Sequence, residues 1–164
     1  MIDEERHLRN AHRMTELYPA FADRVRLVIA ELELAGYRPR IQDAYRSPAA
    51  QLEADRQGFS KLRYGFHNVT SAHGIPEALA VDVLDDSAPL TPGIGYLVAL
   101  AHFASLHHCA TGIGWGLEPR LQAALMDAVR TNTPHAGLKI GWDSPHVEVA
   151  GLSVSAAKKG ARPS

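Results

Sequence analysis

A single carboxylate lies in the middle of the apolar segment 79–84, and this position most constrains how the chain can fold. A short apolar run of this kind predicts a β-strand. On a strand, Ala80 and Leu84 would face the same side as Asp82, while the intervening valines face the other side. Asp82 would then be a lone acid among apolar neighbours, and a buried carboxylate requires a partner. We therefore expect a partner for Asp82 inside the fold.

Apolar periodicity predicts the other elements of the chain. Residues 17–32 carry an apolar stripe at spacings of three and four, which indicates an amphipathic helix. The pattern predicts further helices at 47–57, 91–108 and 118–129, a strand at 37–44, a strand or hairpin at 139–149, and a loop at 59–75. Helices mixed with few strands indicate a small α+β domain, in which helices pack on a short antiparallel sheet.

Length and composition limit the number of domains. A chain of 164 residues with 46% hydrophobic residues suits one soluble domain with a single core. After Gly151 the composition shifts to Ser, Ala, Lys, Gly and Pro, so we predict a domain at 1–150 and a loosely held tail at 151–164. The lone cysteine, Cys109, allows no intrachain disulfide and is expected to be a small buried hydrophobe.

Charge and hydropathy exclude several classes of partner. Lys and Arg number 17 against 18 for Asp and Glu, so no basic surplus is present to bind nucleic acid. No apolar run reaches the roughly 20 residues that a membrane span needs. The N-terminus is charged from Asp3 onward, unlike a secretory signal, which predicts synthesis in the cytoplasm.

Two further segments carry residue types that bind metals. One is Ser71-Ala72-His73, and the other is 142–148, in which His146 and Glu148 would share a strand face and Asp143 lies three residues before His146. Two imidazoles and a carboxylate are a sufficient protein shell for a catalytic zinc ion, whose fourth position stays open for water. A nearby carboxylate can accept a proton from that water. We predict one zinc ion held by His73, Asp82 and His146.

The order of these segments resembles the M15 family of zinc peptidases, which includes peptidoglycan carboxypeptidases and phage endolysins that cut L-alanyl-D-glutamate bonds. That family has a Ser-x-His motif, then Gly-x-Ala-x-Asp, then Trp, an acid and Pro-His or Trp-His. Segment 44–51 is also similar to the family's Tyr-Arg-Ser segment. The resemblance covers roughly residues 18–148, and it implies the fold of hedgehog and D-Ala-D-Ala peptidase domains, with the zinc site at the sheet.

The resemblance also implies roles for side chains around the metal. Asp143 would be the general base, with Glu148 as the competing base, and Arg46 would bind a carbonyl oxygen or carboxylate of the substrate. The remaining predicted residues bind substrate or support the site: Ser71, Tyr45, Gln51, Trp142 and Glu148.

Two departures from the family pattern concern the first motif. The family has six residues between its first histidine and the aspartate, whereas eight residues, 74–81, separate His73 from Asp82. Ala78 also replaces the family's glycine. A small loop insertion within 74–77 would account for the longer interval; otherwise Glu77 is the alternative acidic ligand. His67 and His135 lie in predicted loops, and no sequence feature fixes their direction.

The implied activity is zinc-dependent hydrolysis of a peptide bond in the stem peptide of bacterial peptidoglycan. The ending of segment 142–148 favours an L-alanyl-D-glutamate endopeptidase, and the alternative is a D-alanyl-D-alanine carboxypeptidase. A non-catalytic zinc-binding module is the alternative from another class. The enzyme would act in the periplasm or cell wall after release through a phage holin or delivery by an injection machine, and an effector would require an immunity protein.

Overall fold

A four-stranded antiparallel sheet organises the structure, a computed structural model that describes residues 1–58 and 64–164. Its strands are β1 (Pro39–Asp43), β2 (Ala80–Asp85), β3 (Cys109–Gly112) and β4 (Asp143–Val149), in the spatial order β1-β2-β4-β3. Neighbouring strands run antiparallel throughout. Strands β2 and β4 are therefore the central pair.

The described residues also form six α-helices. They are α1 (Asp3–Met14), α2 (Pro19–Leu34), α3 (Pro48–Arg56), α4 (Ile94–Leu106), α5 (Pro119–Thr131) and α6 (Val154–Lys158). A 3₁₀ helix, Phe66–Asn68, precedes β2. The predicted α+β class and antiparallel sheet are thus confirmed.

The core lies between the sheet and helices α2 and α4. Val81 and Val83 of β2 are buried in it, and the buried Tyr96 of α4 donates its hydroxyl to the Val83 carbonyl at 3.0 Å. Asp82, between the two valines, is half-buried, as strand alternation predicts. Cys109 is buried as a free thiol, as expected. The face of the sheet opposite this core is therefore open to polar side chains.

Helix α1 has no counterpart among the predicted elements, because its buried face is polar. Its buried residues are Arg6 and Asn10. The Asn10 amide donates to the Pro39 carbonyl at 2.9 Å and accepts from the Ile41 amide at 2.8 Å. These bonds satisfy backbone groups on the open side of the edge strand β1, which would otherwise invite pairing with another chain.

The C-terminal residues differ from the loosely held tail that their composition predicts. Helix α6 lies in this segment, its Ala157 is buried, and Leu152 and Val154 pack against the core. Arg162 bonds to the Thr70 carbonyl and to Glu77. None of the helices in residues 1–58 and 64–164 has the length and apolar character needed to cross a bilayer.

Candidate metal centre

The register of the sheet brings two predicted ligands into direct opposition. Asp82 of β2 pairs with His146 of β4, and Asp43 of β1 pairs with Asp82 from the other side. Directly opposed residues in antiparallel strands have Cβ atoms about 4.5–5.5 Å apart on one face. The Nδ1 atom of His146 accordingly lies 3.2 Å from Oδ1 of Asp82. The partner required by the Asp82 carboxylate is thus supplied across the strands.

A bulge in β4 sets the direction of its polar side chains. Thr111 of β3 pairs with Val147, but the next residue, Gly112, pairs with Asp143. Residues 144–146 therefore have no counterpart on β3, and Pro145 lies in this irregular stretch, where no ladder hydrogen bond is required of it. The bulge leaves both Asp143 and His146 beside Asp82.

The third side chain at this point is His67, on the 3₁₀ helix that precedes β2. Its Nδ1–H donates to the Ala44 carbonyl at 2.5 Å, which leaves Nε2 facing Asp82 Oδ1 at 3.5 Å. The side-chain amide of Asn68 donates to the Arg46 carbonyl at 2.7 Å, and this bond connects the 3₁₀ helix to the segment after β1. His67 is buried, and its ring meets that of His146 edge to face at 5.2 Å.

Within the part of the chain that the structure describes, His67, Asp82 and His146 are the group suited to hold a metal ion. One ligand atom from each lies within 4.8 Å of the others. Two imidazole nitrogens and one carboxylate oxygen are a donor set that zinc accepts in catalytic sites. The outward nitrogen of His146, Nε2, donates to Glu148 at 3.0 Å, so an acceptor outside the cluster orients each imidazole. The residues present therefore fit a zinc ion.

Electrostatics in the cluster follow from burial and from these contacts. Burial favours the neutral form of Asp82 and tends to raise its pKa. Hydrogen bonds from His146 and His67 outweigh burial and hold the pKa of Asp82 well below its usual range. Burial likewise opposes charge on His146, yet hydrogen bonds to Asp82 and Glu148 raise its pKa to about 9. Without a metal, His146 is thus an imidazolium held between two carboxylates at neutral pH.

The predicted ligand His73 is not part of this cluster. It is exposed in a turn whose backbone is held by Ser71: the Ser71 hydroxyl accepts from the amides of His73 and Ile75, both at 3.2 Å. The Ser-x-His match thus falls on a surface turn, and His67 occupies the position expected for His73. Glu77, the alternative acidic ligand, is instead paired with Arg162 at 2.8 Å.

The local sequence around His67 carries one weak signal for a role in this cluster. It stands between Phe66 and Val69, both buried, whereas His73 stands in a polar turn. A histidine in an apolar setting needs a partner, as a buried carboxylate does, and this signal favours His67. The Ser-x-His motif favours His73 instead, because residues 68–81 form a longer interval before Asp82 than the family pattern has.

Arg46 lies at the edge of the cluster and is held by neighbours. Its guanidinium donates to Asp43 at 3.0 and 2.5 Å and to Gln51 at 3.1 Å. One nitrogen also lies 4.0 Å from Asp82. The Gln51 side chain that accepts from Arg46 is buried. The residue before Arg46, Tyr45, is held by its backbone amide, which donates to Glu16 at 3.0 Å. The planar donor group of Arg46 is therefore fixed beside the metal position, with Asp43 partly neutralising its charge.

Asp143 and Glu148 lie on different sides of His146. Oδ2 of Asp143 is 4.0 Å from Nδ1 of His146, the nitrogen that faces Asp82. Glu148 binds the opposite nitrogen, Nε2. Burial raises the pKa of Asp143, the charge of His146 opposes the rise, and that of Asp82 adds to it. Asp143 is thus the acid on the ligand side, and Glu148 orients His146.

Two tryptophans extend from the cluster towards the surface. The ring of Trp115 lies 5.0 Å from the ring of His146, and the ring of Trp142 lies 5.6 Å from that of Trp115. Trp142 keeps 51% of its surface exposed. Indole rings of this kind provide flat apolar walls with a hydrogen-bond donor. Trp115 and Trp142 are therefore two neighbouring indoles between His146 and the protein surface.

Comparisons with known proteins add a likeness of fold. No protein-family model matches the chain, and no curated protein matches its sequence. Among solved structures, the chain is similar to the L-Ala D-Glu endopeptidase ChiX of Serratia marcescens, with a TM-score of 0.53 and 19% sequence identity. The match covers 87% of this chain and 86% of that one. The chain therefore shares its fold with an L-Ala D-Glu endopeptidase.

Proposed function

We propose that this chain is a zinc peptidase of the M15 type that hydrolyses the bond between L-alanine and D-glutamate in the peptidoglycan stem peptide. The observation that carries the proposal is the convergence of His67, Asp82 and His146, with each imidazole oriented from outside. A zinc ion bound there would supply a Lewis acid and lower the pKa of a water ligand to about 7. His67 replaces the predicted His73 in the ligand set.

Asp143 is the residue proposed to accept a proton from water and return it to the leaving amine. Its position on the ligand side of His146 supports this role. Burial raises its pKa, so the carboxylate is a stronger proton acceptor than that of an exposed aspartate. Glu148 is occupied with the outward nitrogen of His146. The geometry therefore favours Asp143 over Glu148 as the base.

Arg46 is proposed to stabilise the oxygen that becomes negative when the peptide carbonyl is attacked. Its fork of donors is fixed by Asp43 and Gln51 and needs little reorganisation to bind that oxygen. Trp142 and Tyr45 are proposed to contact the substrate, and Ser71 to support the loop after His67. The likeness to ChiX and the Trp-Asp-x-Pro-His-x-Glu segment support the L-alanyl-D-glutamate bond over the terminal D-alanine.

Digestion of purified peptidoglycan tests this proposal. Mass spectrometry of digests made with and without a chelator should show a new D-glutamyl amino terminus that depends on zinc. Loss of a single terminal alanine would instead indicate a carboxypeptidase. Absence of any cleavage by a zinc-loaded chain would indicate a binding module. Action in the periplasm or cell wall, and delivery by holin release or injection, stay predictions.

A further inference from the structure

The C-terminal segment contacts the loop that joins two of the proposed ligands. Residues 68–81 connect His67 to Asp82. Arg162 donates through Nη2 to the Thr70 carbonyl at 2.7 Å and through Nε to Oε2 of Glu77 at 2.8 Å. Thr70 lies three residues after His67, and Glu77 lies five residues before Asp82. One guanidinium thus binds both ends of the connecting loop.

The loop closes on itself at the place where Arg162 binds. The Glu77 amide donates to the Val69 carbonyl at 2.9 Å, and Thr70 and Pro76 form an isolated antiparallel bridge. Further along, the Leu79 amide donates to the Phe66 carbonyl at 3.0 Å, next to His67. Movement at the base of the loop would therefore be transmitted through backbone hydrogen bonds to His67.

Other residues of the C-terminal segment and Tyr18 hold the Arg162 side chain in place. Its Nη1 donates to the Ala157 carbonyl of α6 at 2.9 Å, and Ala157 is buried. The guanidinium also lies over the ring of Tyr18 at 5.9 Å. Lys158 makes a second contact, over the ring of Tyr64 at 4.8 Å. Tyr64 lies three residues before His67, so segment 151–164 contacts the chain on both sides of this ligand.

We infer that Arg162 is a positioning residue for the metal centre: it fixes the loop between His67 and Asp82 so that both side chains stay in ligand geometry. The inference rests on the proposed zinc site. With 14% of its side chain exposed, Arg162 is shielded from solvent, and charge-assisted hydrogen bonds of this kind are stronger than those of surface pairs. Loss of Arg162 should therefore weaken zinc binding without removing a ligand.

The test is zinc affinity of the full chain, measured by competition with a colorimetric chelator alongside thermal unfolding. Arg162→Met should weaken zinc binding about tenfold, at the lower end of the effect of residues that orient ligands indirectly. Arg162→Lys should lose less, because an ammonium can still reach Thr70 or Glu77. Adding Glu77→Gln to Arg162→Met should cost little more, since both act through one contact. Arg130→Met, which removes an exposed pair with Asp127, is the control and should bind zinc normally.

The outcomes separate this inference from the proposed function. Unchanged zinc affinity in Arg162→Met, even with a lower melting temperature, would overturn the positioning role and leave the zinc site standing. Failure of the unmodified chain to bind zinc would overturn both. If Arg162→Met does not fold, Arg162→Lys and Glu77→Gln decide the matter: affinity within about twofold of the unmodified chain in both would reject the inference.

Discussion

Hydrogen bonding decides which nitrogen of each imidazole faces the metal position. His67 uses Nδ1 for the Ala44 carbonyl and presents Nε2, whereas His146 uses Nε2 for Glu148 and presents Nδ1. A neutral imidazole has one protonated nitrogen, so the outer acceptor fixes the tautomer as well as the ring direction. The two histidines therefore turn different ring nitrogens, Nε2 of His67 and Nδ1 of His146, towards Asp82.

The identity of the first histidine ligand gives a paired prediction at the residue scale. His67→Ala should abolish stoichiometric zinc binding because one of three protein ligands is lost. His73→Ala should retain it, because His73 is exposed in the turn held by Ser71. The zinc content of each purified variant, measured by mass spectrometry after dialysis, checks this. The reverse result would restore His73 as the ligand.

Replacing each of the two acids beside His146 by its amide should affect different properties, the hydrolysis rate for Asp143 and zinc affinity for Glu148. Asp143→Asn should lower the hydrolysis rate about 10²- to 10⁴-fold with zinc affinity nearly unchanged, because the proton acceptor is lost. Glu148→Gln should weaken zinc binding about 10- to 100-fold, because His146 loses its orienting acceptor. Hydrolysis rates at saturating zinc and zinc titrations distinguish the two. If the effects are exchanged, Glu148 is the base.

At the element scale, the contact between β3 and β4 leaves no room for a side chain at Gly112. A Cβ atom there would lie 2.2 Å from the carbonyl oxygen of Asp143 and 3.1 Å from its Cβ. The pairing of Gly112 with Asp143 is also the point at which the bulge begins. The proposed base is therefore positioned by the backbone of the neighbouring strand.

Gly112→Ala should consequently disturb both stability and activity. We expect a loss of at least about 1–3 kcal/mol in the free energy of unfolding, because the strands must separate locally. Hydrolysis should fall further than the folded fraction does, since Asp143 moves. Gly93→Ala is the matched control, because a Cβ at Gly93 meets nothing within 4 Å. Urea unfolding and hydrolysis assays of both variants test this, and equal behaviour would contradict it.

At the scale of the whole molecule, the zinc-free cluster makes stability depend on pH. The pKa of His146 is raised from 6.5 to about 9 by its hydrogen bonds to Asp82 and Glu148, although burial opposes this. A group whose pKa is higher in the folded state than in the unfolded state stabilises the fold at pH values below its unfolded-state pKa. This stabilisation is lost as the pH rises through its folded-state pKa. The zinc-free protein should therefore lose stability between about pH 6.5 and 9.

Urea unfolding of chelator-treated protein across this range measures the effect. The loss should be smaller in Glu148→Gln, because one of the two carboxylates that hold the imidazolium is gone. Bound zinc requires neutral imidazoles, so saturating zinc should remove the loss at high pH. A zinc-free protein with flat stability over this range would show that His146 is not charged in the fold.

The sequence alone was sufficient for the fold class, most helices and the strand around Asp82. These properties depend on apolar periodicity and on the cost of burying a carboxylate, and both act within a few residues of the chain. Helix α1 escaped prediction because polar side chains, Arg6 and Asn10, bury it against β1. The ordered contacts of the C-terminal segment were not predicted, because composition does not reveal that Arg162 pairs with the distant Glu77.

Contacts between distant segments select the histidine that joins Asp82 and His146. The opposition of Asp82 and His146 depends on strand register, and the choice of His67 depends on a hydrogen bond to the distant Ala44 carbonyl. A three-residue motif contains neither quantity, so Ser71 and His73 could match a pattern while forming a surface turn. The local sequence identifies residue types that can bind a metal, but contacts between segments far apart in the chain bring those side chains together.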